Sequence, residues 1–152
     1  MATARTISIQ YNELDSLLEL SEENQSLLEK ASQTCNLAYA PYSQFKVGAA
    51  ILLENGSVVI GSNKENASFP AGTCAERNAI GTASDMYPGV MIKSIAIASS
   101  TEILLSDDIL APCGICRQVL CEVEANQGSP IELLLLMPSG KVLLIDSVAQ
   151  IL

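Results

Sequence analysis

The sequence contains no histidine and no tryptophan, and only two phenylalanines and four tyrosines. Without histidine, Ser-His-Asp and Cys-His mechanisms are excluded. A general base working near neutral pH must then be Glu, Asp, Cys, Lys or a metal-activated water. Basic residues are also scarce. Eight Lys and Arg stand against seventeen Asp and Glu, a formal net charge of −9. That balance argues against general nucleic-acid binding, which needs clustered cations on phosphates, and against an anionic membrane surface. A small neutral or cationic ligand is the more compatible partner. No apolar run approaches the roughly 20 residues of a membrane span. The first ten residues lack the apolar stretch of a signal peptide, so a cytoplasmic location is expected.

What is present is a core. Of 152 residues, 49% are apolar, which predicts one domain over 1–152. Five cysteines are an odd count and do not suggest a disulfide framework. A reducing cytosol would keep their thiolates available for metal.

Residues 6–11 alternate loosely and suggest a short first strand. Ser21 is a candidate helix N-cap. Leu27, Leu28, Ala31, Cys35 and Ala38 then recur at helical spacing up to Pro41. Phe45–Leu53 reads as a strand, Asn55-Gly56 as a hairpin turn, and residues 58–61 as the return strand. A loop rich in Asn, Ser, Pro and Gly leads to Thr73, the expected cap of a second helix reaching about Asp85. Residues 92–99 read as a buried strand, 114–125 as a third helix after Pro112, and 131–137 and 142–145 as two further strands. A hairpin followed by helix-strand alternation predicts an α/β three-layer sandwich around a mixed sheet.

Cys113-Gly-Ile-Cys116 has the two-residue gap of zinc ligands, and positions three apart share a helix face. A redox pair has the same spacing. Cys74 falls in the first turn of the second helix, where the dipole favours thiolate. Three thiolates around Zn²⁺ leave a fourth tetrahedral position open for water, as in catalytic sites. A structural site would need a fourth ligand. Cys35 lies on the apolar face of the first helix, and Cys121, five residues after Cys116, faces away from that ligand. A centre with three thiolates is negative and needs nearby positive charge to acidify water. Two helix starts and Arg77 are candidates for supplying it, though Arg77 has the spacing of an ordinary surface arginine as well. Glu76 has two readings. Thr73-x-x-Glu76 fits a capping box, and a carboxylate beside an open zinc fits a proton shuttle.

The runs Cys74-Ala-Glu76-Arg77 and Pro112-Cys113-Gly-Ile-Cys116-Arg-Gln together resemble the homotetrameric zinc-dependent cytidine deaminases. The three-cysteine zinc set with a non-ligand glutamate is a known signature of zinc deaminases. The resemblance extends to the run from Ala40 to Ala50 and to the segment Asn63-Lys-Glu65-Asn-Ala-Ser, covering about residues 38–151. It implies a five-stranded mixed sheet flanked by helices, a homotetramer with sites near subunit contacts, and Zn²⁺ on Cys74, Cys113 and Cys116. It also implies hydrolysis of cytidine and deoxycytidine to uridine and deoxyuridine plus ammonia by a zinc-bound hydroxide, in pyrimidine salvage. Carried across, Glu76 is catalytic, Phe45 packs on the pyrimidine, Asn63 and Glu65 bind the sugar 3′-hydroxyl, and Arg77 supports the thiolates.

Three departures mark this chain. Residues 1–20 form an N-terminal extension. Relatives usually continue past the position of Leu152 to an aromatic residue. Phe69 stands where many have tyrosine. A related deaminase acting on another aminopyrimidine nucleoside, such as blasticidin S, shares the catalytic motifs. An RNA- or DNA-editing deaminase fits the acidic charge poorly, and it also conflicts with a site for a free 3′-hydroxyl.

Overall fold

Six strands form one mixed sheet in the computed structural model, which describes residues 3–6, 8–101 and 110–152. The elements are β1 (Asn12–Leu14), α1 (Glu22–Thr34), β2 (Phe45–Leu53), β3 (Val58–Ser62), α2 (Ala75–Met86), β4 (Ile92–Thr101), α3 (Gly114–Gln127), β5 (Glu132–Leu136) and β6 (Val142–Ile145). The strand order is β1-β6-β5-β4-β2-β3. Gly56, at φ 83°, closes the β2–β3 hairpin, and its N–H donates to the Leu53 carbonyl at 2.9 Å. Only glycine takes this backbone readily. β4 and β5 are the parallel pair; α3 makes the crossover between them.

Successive residues of β2 serve opposite layers. Ala49, Ile51 and Leu53 join the core under α2 and α3, while Ala50 and Leu52 join the core under α1. Burial on both faces explains why β2, β4 and β5 read as continuous apolar runs rather than alternating ones. The three-layer sandwich expected from the sequence is therefore present.

The sheet has six strands, not five, and the sixth lies inside the expected extension. The strand expected over 6–11 does not form among the described residues; Ile7 lies outside them. Pairing begins at Asn12 instead, opposite Leu144. The register has a physical reason: Leu14 packs on the α1-side core, and Glu13 meets Lys141 in an ion pair.

The first helix also ends earlier than the expected run to Ala38. Thr34 is its last residue, and Cys35–Leu37 tightens into a 3-10 turn. The close approach of α1 to β2 sets this end. A Cβ at Gly48 would lie 2.0 Å from the Ala31 carbonyl oxygen and 2.7 Å from the Cys35 nitrogen. Gly61 of β3 plays the same part for α2. A Cβ there would lie 2.4 Å from both the Ala75 oxygen and the Ala79 nitrogen. Asn78 adds a side-chain bond of 2.8 Å to the Ser62 carbonyl. The start of α2 is thus pinned against the sheet edge. No described helix is long and apolar enough to cross a membrane.

Candidate active site

Cys74 and Cys113 are the N-cap residues of α2 and α3, and neither cap makes a side-chain bond to its own helix. Their sulfurs are free to face each other instead. The Cys74 and Cys113 sulfurs lie 3.7 Å apart, and those of Cys113 and Cys116 lie 3.5 Å apart. All three fall within 4.8 Å of one another, and among the described residues no further ligating side chain joins this group. Tetrahedral Zn–S bonds of about 2.3 Å separate sulfurs by about 3.8 Å. The three thiols therefore fit Zn²⁺ with little movement, and one tetrahedral corner has no protein ligand among the described residues.

The expected cap at Thr73 is replaced by Cys74. Thr73 instead exchanges two backbone hydrogen bonds of 2.9 Å with Lys64. Extended pairing removes Thr73 from the cap position, so the capping box does not form. Glu76 then stands at the second helical position, 4% exposed. Burial foremost pushes its carboxyl above the ordinary range, and the charge of Cys74 adds to this, while the Cys116 thiol and Arg77 pull the other way. A hydrogen bond from Cys116 foremost, aided by Cys113 and Arg77, draws the Cys74 thiol down to about 5 against the effect of burial. The same pairing pushes the Cys116 thiol up.

Arg77 donates from Nη2 to the Gly72 carbonyl at 3.1 Å, while its buried Nε has no hydrogen-bond acceptor. The Arg77 guanidinium also helps to lower the Cys74 thiol. The partial positive charge of two helix starts adds to this. Cys35 and Cys121 stand apart from the cluster. The Cys35 thiol is buried against the carbonyls of Ala31 and Ala98, and Cys121 donates to the Val148 carbonyl at 3.1 Å.

Cys74 opens onto a cleft of about 590 Å³ whose lining includes Tyr42, Asn63, Glu65, Phe69 and Ile115. That volume suits a nucleoside-sized ligand. Both sugar-site candidates, Asn63 and Glu65, are in this lining, but Phe45, the candidate for packing on the base, is not. Both candidates already bond their own chain. The Asn63 Oδ1 accepts from the Val47 N–H at 2.8 Å, and its Nδ2 donates to the Phe45 carbonyl at 2.9 Å. The Glu65 carboxylate accepts from the Tyr42 N–H at 2.9 Å and from the Ser43 hydroxyl. The Ser43 bond foremost holds the Glu65 carboxyl below the ordinary range. Tyr42 and Ile115 lie within the runs that carry the resemblance, yet neither is among the sequence-derived site candidates; only the cleft lining brings them in. The sequence marked Phe69 only as a departure, yet this residue is 90% exposed at the cleft's lip.

A family profile described as the cytidine and deoxycytidylate deaminase zinc-binding region matches residues 21–128. A cytidine deaminase of Halalkalibacterium halodurans is 41% identical over 101 residues, covering 66% of this chain and 72% of that one. A second, from Sporosarcina psychrophila, is 38% identical over 110 residues, 72% of this chain and 75% of that one. Among solved structures, a cytidine deaminase from Burkholderia pseudomallei superposes with a TM-score of 0.71 at 35% identity. It covers 88% of this chain and 97% of its own. The matched profile spans both cysteine-bearing helix starts and the β2–β3 hairpin between α1 and α2, so the chain belongs to the cytidine and deoxycytidylate deaminase family defined by that zinc-binding region.

Proposed function

We propose that this protein is a zinc-dependent cytidine deaminase in which Cys74, Cys113 and Cys116 hold the metal and Glu76 moves the protons. The observation that carries the reading is the convergence of three thiols on one point, beside the buried Glu76 carboxyl, with Cys74 in the wall of a nucleoside-sized cleft. When bound, Zn²⁺ supplies a Lewis acid that makes water a nucleophile near neutral pH.

The remaining chemistry belongs to the chain. Glu76 accepts a proton from the attacking water as its oxygen bonds to C4 of the pyrimidine. Glu76 then returns that proton to N3. The C4–N4 bond breaks as the leaving amine takes up the remaining proton of the water by way of Glu76, giving uridine and ammonia. Burial keeps Glu76 off bulk water, so its proton goes to the substrate. Arg77 and the two helix starts offset the negative charge of three thiolates. Asn63 and Glu65 take the sugar hydroxyl through the acceptor and donor capacity their backbone bonds leave over. Phe45, whose carbonyl accepts from the Asn63 amide, packs toward the base.

We place this activity in pyrimidine salvage in the cytoplasm, carried out by 1–152 as one domain in a homotetramer. Exposed Tyr42, Phe69 and Ile115 at the cleft support an assembly in which a neighbouring copy covers the site. Ultraviolet monitoring of purified protein with cytidine, deoxycytidine and blasticidin S, alongside metal analysis, tests the reading. One zinc per chain and loss of the cytidine absorbance are expected. Zinc-loaded protein that converts only blasticidin S would overturn the substrate assignment.

A further inference from the structure

The face of α3 that looks away from the cleft carries a second polar arrangement. Arg117, Cys121 and Glu124 are spaced four and three apart, so they share one face of the helix. All three reach the same short piece of backbone, the 3-10 turn Val148–Ile151 and its flanks. The buried Glu124 carboxylate accepts from the Val148 N–H at 3.1 Å, the Ala149 N–H at 3.3 Å and the Ser147 hydroxyl. It also accepts from the Ile131 N–H at 2.7 Å. Cys121 donates to the Val148 carbonyl. Arg117 donates from Nη1 to the Ile151 carbonyl at 3.2 Å and from Nε to the Pro112 carbonyl at 2.9 Å.

The last of these bonds matters most, because Pro112 immediately precedes Cys113. A guanidinium is a rigid planar fork, so fixing one of its nitrogens fixes the direction of the others. Arg117 is itself only half-buried, and a lone exposed arginine would hold a carbonyl loosely. Its anchorage at Ile151 changes that. The turn is held by Glu124 and Cys121, the turn holds Arg117, and Arg117 holds the peptide that aims the Cys113 sulfur. Of the three clustered thiols, Cys113 is the exposed one, so packing contributes least to its orientation and a backbone tether has most to contribute.

We propose that Arg117 is a positioning residue for the metal centre, coupling the C-terminal 3-10 turn to the orientation of Cys113. The coupling rests on the zinc assignment above and extends it to a residue that touches neither metal nor substrate. A structural role alone would change stability in proportion to the bonds lost and leave the metal environment alone. A positioning role changes the thiolate geometry.

Three measurements separate these. The first is the rate of zinc release to a chelator from the folded protein. The second is the thiolate-to-metal charge-transfer spectrum of the Co²⁺-substituted protein. The third is the division of any activity loss between kcat and KM. Arg117→Ala is expected to release zinc at least tenfold faster, to shift the Co²⁺ bands, and to lower kcat with KM within twofold. Arg117→Lys keeps one donor and is expected to fall between parent and Ala, which preserves the test if the Ala variant does not fold. Ser147→Ala, which removes the hydroxyl tie to Glu124 and the cap on the Ala149 N–H, should reproduce part of the faster release without changing any residue of α3. In that background Arg117→Ala should add less than it does alone, because the shared path is already loosened. Release within twofold of parent in both Arg117 variants, or an undiminished effect in the Ser147→Ala background, would overturn the coupling. Parent protein that binds no zinc would instead sink the metal assignment, so the two failures are distinguishable.

Discussion

The two helix starts and the 63–65 segment contrast sharply, although both were marked by the same family resemblance. At the helix starts, the side chains turn away from their own backbone and toward one another: Cys74 and Cys113 cap nothing, and Cys116 meets them. At 63–65, the side chains turn inward. Asn63 spends its amide on Val47 and Phe45, and Glu65 spends its carboxylate on Tyr42 and Ser43. One region holds its chemistry in reserve, and the other uses its polar groups first to build the cleft wall. A helix start fixes direction through its own hydrogen-bonded frame, so its side chains need not help hold the backbone. The loop has no such frame, and its polar residues must supply one before they can bind anything.

The largest expected effect breaks the comparison on the helix side. Glu76→Gln is nearly isosteric and removes only the capacity to carry a proton. The variant is expected to fold, to hold one zinc, and to lose several orders of magnitude in kcat. General acid–base catalysis alone contributes about 10²–10⁴-fold, and Glu76 serves more than one transfer in the proposed cycle. Turnover within tenfold of parent, with zinc in place, would end the shuttle assignment.

The next effect sharpens the loop side. Asn63→Ala removes two bonds to β2, and it should lower stability by about 1–3 kcal/mol, the usual range when buried partners are left unpaired. Thermal unfolding without any nucleoside measures it, and a loss of about 2–4 °C per kcal/mol is expected for a chain of this size. A pure sugar ligand would leave that midpoint unmoved. Glu65→Gln is expected to raise KM for cytidine about tenfold, the order of one charge-assisted hydrogen bond, with zinc content unchanged. A parental KM would remove Glu65 from the sugar site.

The same contrast governs how much was legible beforehand. β2 and β6 lie on the residues their apolar runs marked, because β-sheet burial writes itself into consecutive positions. The approach of Cys113 to Cys116 was legible because C-x-x-C spacing at a helix start converts directly to geometry, while Cys74 was drawn to them by its own place at a helix start. The Thr73 cap was misread because its pairing partner, Lys64, belongs to a bridge that no local pattern announces. β1 was displaced from 6–11 to Asn12–Leu14 for a similar reason: its register depends on pairing with β6, more than a hundred residues away, and on the core that Leu14 joins. Phe45 was expected at the base and lies outside the cleft lining, whose exposed aromatic residues are Tyr42 and Phe69. Which aromatic faces a cleft depends on the turn at 41–43, and that turn is set by Glu65 from across the loop.

The smallest effect probes that turn directly. The Glu65 carboxyl sits below its ordinary value near 4.5, foremost because the Ser43 hydroxyl and then the Tyr42 and Ser43 amides bond its charged form. A carboxyl lowered in the folded state contributes stability above the unfolded value and loses it as pH falls through the folded value. The bond from the Tyr42 N–H should therefore persist at neutral pH and weaken only below about pH 4.5. Amide hydrogen exchange at Tyr42, compared with a sheet amide such as that of Ile51, reads this out locally. The Tyr42 protection factor is expected to fall on acidification while the Ile51 value holds, over a range in which the protein stays folded. Glu65→Gln should lower Tyr42 protection at neutral pH and abolish its dependence on acid. If Tyr42 keeps its protection in that variant, the turn is held by something other than Glu65. The loop would then have a frame of its own, and Glu65 would be as free for the substrate as the cysteines are for zinc.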